Sequence, residues 1–91
     1  MATLYKTDGT ATPAVPANGS HFTLAEMYKL VGCHTIERVG LSAGRAMIID
    51  EDGKWSGKKV NDNATRLCQL RLMPGDVIVG DALLVEKGEM R

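Results

Sequence analysis

The chain has 91 residues, 44% of them apolar but only 4% aromatic, and its 11 basic and 11 acidic side chains give a formal net charge of zero. That length makes one small domain, 1–91, burying roughly 60–65% of the surface its unfolded chain exposes, on a core of Leu, Val, Ile, Met and Ala. Charge neutrality argues against a duplex-DNA binder and against an acidic DNA mimic, but leaves room for a small anion that needs only a few local cations.

In chain order, Ala2 to Thr7 reads as a first strand, Asp8-Gly9 as a turn, and Thr10 to Val15 as a second strand. Pro13 and Pro16 keep that second strand at an edge, because proline cannot donate to a ladder. Asn18-Gly19-Ser20 is a loop. A helix then starts at Thr23, with Glu26 completing a capping box and Phe22 placed to pack on Met27. Leu24, Met27, Tyr28 and Val31 recur at helical spacing, Glu26 and Lys29 point away, and Gly32 supplies a left-handed cap.

Thr35 to Leu41 reads as a strand, Ser42-Ala43-Gly44 as a turn, and Arg45 to Asp50 as a return strand. Met47 and Ile49 fall on one face of that strand, Ala46 and Ile48 on the other. Such two-sided apolarity marks a central strand, or one covered by another subunit. Glu37, Arg38 and Arg45 read as solvated cross-strand charges, the arginines alternatively as the border of a ligand pocket. Asp50, Glu51 and Asp52 read as solvated residues of a turn.

A second helix follows Asn61 or Asn63 as its cap, with Ala64, Leu67 and Cys68 on one face, and ends by Leu72-Met73 before Pro74-Gly75. Asp76 to Val79 and Ala82 to Lys87 read as two apolar strand segments about Gly80-Asp81, and the tail 88–91 as frayed. The order of elements gives an α+β fold: two short helices over a small, mainly antiparallel sheet. Small size, few aromatics and the doubly apolar strand together favour a homo-oligomer.

The residues offer binding chemistry rather than a catalytic set. There is no nucleophile elbow, no Walker loop, no zinc-protease motif and no metal-ligand spacing. Cys33 and Cys68 read as buried thiols of a reducing compartment, and Cys33-His34 lacks the further ligands that a metal or a Cys–His site needs. No apolar run reaches the length of a membrane span and no targeting signal precedes the first strand, which places the protein in the cytoplasm, away from membranes.

The stretch from Asp50 to Leu67 carries most of what could meet a ligand. A helix start favours anions, the indole of Trp55 can stack on a base, and Lys or Arg can pair with phosphate. The same residues also read as a hairpin turn, a half-buried Trp and an ordinary capped helix. Candidate ligand-binding residues are Trp55, Lys54, Lys58, Asn61, Asn63, Thr65, Arg66 and Arg45; no catalytic residue, metal or cofactor is expected.

The blocks FTLAEMYKLVG, TIERV, RAMIIDEDGKWSG, NDNAT and GDVIVGDALLVE, in that order from about Phe22 to Glu86, resemble a family of small phage-borne domains of formerly unknown function. That family includes nucleotide sponges acting against CBASS immunity, with relatives acting against Thoeris signals. Asn61, Ala64 and Thr65 occupy its Asn-x-x-Ala-Thr positions, Gly53-Lys54 its acidic turn, and Gly80-Asp81 its final Gly-Asp. Gly32-Cys33 departs from the usual Gly-Gly, and Trp55 is not a family residue.

The resemblance implies capture, without cleavage, of a cyclic dinucleotide such as 3′3′-cyclic GMP–AMP in the host cytoplasm, withholding it from the immune effector. A protein–protein module acting on a host or phage protein is the alternative, and an enzyme degrading the signal a third.

Overall fold

The computed structural model describes residues 2–90, which form a five-stranded antiparallel sheet with one helix on each face. The strands are β1 (Ala2–Tyr5), β2 (Ala11–Ala14), β3 (Ile36–Gly40), β4 (Ala46–Asp50) and β5 (Ala82–Val85), in the spatial order β2-β1-β5-β4-β3. Two hairpins, β1–β2 and β3–β4, are local pairings. Strand β5 enters last and joins them, pairing Leu4 with Leu83 on one side and Ile48 with Leu83 on the other.

Helix α1 (Leu24–Val31) connects the two hairpins across one face. Its start is the expected capping box: the Thr23 hydroxyl accepts from Glu26 N–H at 3.2 Å, and Glu26 Oε1 accepts from Thr23 N–H at 3.0 Å. Gly32 closes it at φ 74°, a left-handed conformation that costs glycine little. Met27 and Val31 are buried with Phe22 against Ala46, Ile48, Leu83 and Val85. Leu24 corrects the helical-face reading: it lies at the first turn, beyond the sheet's cover, and is exposed.

Helix α2 (Asp62–Leu67) covers the other face and is shorter than its pattern suggests. At Cys68 the backbone turns to φ −96°, ψ 4°, and only a 3-10 turn at Gln69–Arg71 continues. Ala64 and Cys68 are buried with Met47, Ile49, Ile78, Ala82 and Leu84, whereas Leu67 is exposed rather than sharing that face.

The doubly apolar strand β4 is therefore covered within one chain, by α1 on the Ala46–Ile48 side and by α2 on the Met47–Ile49 side. A second subunit is not needed to bury it.

The expected strand at Asp76–Val79 does not form. Only Val79 bridges, to Val60. The Thr65 hydroxyl takes the backbone instead, accepting from Ile78 N–H at 2.8 Å and lying 3.3 Å from its carbonyl. This fastens the segment to α2 in place of a neighbouring strand. At the other end, Gly88–Met90 is tied down where fraying was expected: Phe22 N–H donates to the Glu89 carbonyl and Phe22 bridges to Met90. Arg91 lies outside the described residues.

Candidate functional site

The sequence-derived candidates divide into residues whose polar groups already serve the fold and residues that face open space. Asn61 belongs to the first group. It is fully buried; its Oδ1 accepts from Ala64 N–H, and its Nδ2 donates to the carbonyls of Tyr5 at 2.8 Å and Gly80 at 2.9 Å. One side chain thus caps α2 and joins it to β1 and to the turn before β5. Thr65 is similarly occupied by Ile78, and Asn63 donates to the Gly9 carbonyl at 3.3 Å.

Lys58 is also engaged. Its Nζ lies 2.7 Å from Asp50 Oδ2 and donates to the Gly32 carbonyl at 2.8 Å, linking the end of α1 to the end of β4. Asp50 is not the solvated turn residue its neighbours suggested; it is the last residue of β4 and buried. Burial pushes its carboxyl up, but hydrogen bonds from Lys58 and from Asp52 N–H, with attraction to Lys58 and His34, outweigh this and hold the pKa below the ordinary 3.8.

Two glycines make this meeting of loops possible. A Cβ on Gly80, which sits at φ +79°, would stand 2.7 Å from Lys58 Cδ; one on Gly53 would stand 2.9 Å from Val79 Cγ2 and 3.3 Å from the Asp50 carbonyl. The turn glycine and the Gly-Asp glycine thus hold the Lys58–Asp50 junction together.

Lys54 pairs with Asp76, whose carboxyl that ammonium holds below the usual range. Arg45 is half-buried, with Nε donating to the Ser42 carbonyl at 3.3 Å. Trp55 projects from the turn after β4 and is 92% exposed, not half-buried.

Arg66 faces a depression of about 760 Å³ between α2 and the Leu72–Val77 segment. Val60, Thr65, Leu70, Met73 and Asp76 also line it, and Trp55 does not. Lys54 lines a neighbouring depression of about 240 Å³ with Asp50 and Asp76, and Lys58 another of about 270 Å³ with Gly32, Gly80 and Asp81. The structure therefore brings Thr65 and Arg66 together, holds Lys54 at the edge of their depression through Asp76, and sets Lys58 and Trp55 apart from them.

Sequence reasoning missed Leu70 and Met73. They are 97% and 76% exposed, and they give the Arg66 depression apolar walls. The available signal was two apolar residues lying off the helical face, within the four positions before Pro74-Gly75.

Among the described residues, no group of three or more His, Cys, Asp or Glu is placed to hold a metal ion, and no helix is long and apolar enough to cross a membrane. Cys33 and Cys68 are free; burial raises both thiols, Cys68 being fully buried and Cys33 only partly. No curated protein and no solved structure matches the chain. Residues 1–90 match the family model described as a domain of unknown function, and on that match the chain belongs to the DUF3846 family.

Proposed function

We propose that the protein is a phage anti-defence sponge: it binds a cyclic dinucleotide signal in the cytoplasm of the infected host and withholds it, uncleaved, from the CBASS effector. The observation that carries the reading is the depression of about 760 Å³ in which Arg66 stands beside exposed Leu70 and Met73. Ligand sites commonly occupy about 300–1,000 Å³, with apolar walls and a few placed polar groups. Here the walls would cover base faces and the guanidinium would pair with a phosphate, the strongest polar contact such a ligand offers. The resemblance of the ordered sequence blocks to sponge proteins supports the same ligand class. Submicromolar capture requires roughly 8 kcal/mol or more.

The exposure of Leu70 and Met73 also favours a second reading, a module that docks on a host or phage protein. One experiment separates the two. The protein is incubated with a panel of cyclic dinucleotides, freed of unbound ligand and heat-denatured. Intact nucleotide in the supernatant is the expected result. A cleaved product makes the protein an enzyme, and no uptake from any member of the panel favours the docking module.

A further inference from the structure

We propose that the face formed by α2 and the 3-10 turn after it is a twofold interface between copies of this chain. Of the seven exposed large hydrophobic residues among those described, four (Val60, Leu67, Leu70 and Met73) lie between residues 60 and 73, and Val60, Leu70 and Met73 line one depression. Exposed apolar residues scattered singly are ordinary; a group around one concavity marks a contact surface.

The charges around this group select the occupant. Asp62 stands at the depression with Arg66, Asp76 there is paired with Lys54, and Arg71 follows in the 3-10 turn. A twofold contact sets a patch against itself and must carry both signs. This rim does, whereas a partner of one charge would meet repulsion from half of it. The chain's zero net charge adds no long-range repulsion between copies.

The sheet edges are poorer routes to self-association. Full pairing of the five-residue edge strand β3 with its own copy turns about Arg38 and sets two arginines opposite each other. The other edge strand, β2, carries Pro13, which has no N–H to donate. A standard interface covers about 800 Å² per partner, about one-seventh of this chain's 5577 Å² surface.

The same Arg66 depression carries the nucleotide reading, so this contact sets that ligand at the boundary between two copies; self-association itself does not rest on that reading and is measured without nucleotide. Light scattering after gel filtration at tens of micromolar should give the parent an even multiple of the 9.8 kDa chain mass. The Leu70→Glu/Met73→Glu variant should run at one chain mass with an unchanged circular-dichroism spectrum, since both side chains are exposed. Arg38→Glu, on the β3 edge, should leave the parent's mass unchanged. A monomeric parent overturns the proposal, as does a double variant that keeps the parent's mass, or an Arg38→Glu variant that changes it.

Discussion

The start of helix α1 is held by its own neighbours in sequence, whereas the start of α2 is also tied to residues as many as 56 positions away. Thr23 and Glu26 cap α1 across three residues, and Gly32 ends it one residue past Val31. Asn61 caps α2 locally, but also reaches Tyr5 and Gly80, and Thr65 reaches Ile78. A helix of six residues cannot stand on its intrinsic propensity. Side-chain bonds to distant backbone hold it in place, and its outer apolar residues are left uncovered by the rest of the same chain. What differs between the two helices is therefore the anchoring: α1 starts from a local cap and packs on the core, while α2 is pinned to distant backbone and borders the depression that holds Arg66.

The sharpest way to break this comparison is Asn61→Ala. It removes the cap of α2 and leaves the Tyr5 and Gly80 carbonyls without their buried donor, with an expected loss of about 3 kcal/mol in denaturant unfolding. A loss no greater than that of an ordinary cap would mean that the long-range bonds contribute little.

Next is Lys58→Met, which strands the Asp50 carboxylate; because Lys58 is partly exposed, the expected loss is about 2 kcal/mol at neutral pH. The folded-state pKa of Asp50 is lowered, so the stability due to its ionisation is present above the ordinary 3.8 and is lost as pH falls through the lower folded value. The gap between parent and Lys58→Met should accordingly narrow in urea melts taken below about pH 3.8, and a gap independent of pH would remove the ion pair as its cause.

Thr23→Ala completes the series on the α1 side. Only the local box is lost, and about 1 kcal/mol should follow. A cost equal to that of Asn61→Ala would erase the distinction between the helices.

The same contrast explains what could be read from the chain before its structure. Strands, hairpins and α1 were legible because their determinants lie within a few residues: alternation in Ala46–Asp50, a capping box, a glycine stop. Leu24 and Leu67 were misread because helical spacing says which residues share a face, but not how far the sheet extends beneath them. Asp76–Val79 has the composition of a strand and is held by a hydroxyl 13 positions away. At the candidate site, Arg66 and Thr65 were visible as neighbours on one helix. Lys54 is held by Asp76 at the edge of the Arg66 depression and Lys58 by Asp50 away from it, partners chosen by tertiary structure. Trp55 was a reasonable stacking candidate by type, but the turn that carries it does not line the depression beside Arg66.

Calorimetric titration of 3′3′-cyclic GMP–AMP into the parent and Arg66→Ala proteins tests the functional claim most directly. Arg66 is exposed and its side chain serves none of the bonds that pin α2, so both proteins should melt alike. The account predicts submicromolar binding by the parent and at least a tenfold loss in Arg66→Ala, about 1.4 kcal/mol or more, with no loss in Trp55→Ala, whose turn does not line the depression. Equal affinity in parent and Arg66→Ala would move the site away from α2, and a parent that binds no cyclic dinucleotide would contradict the sponge assignment itself.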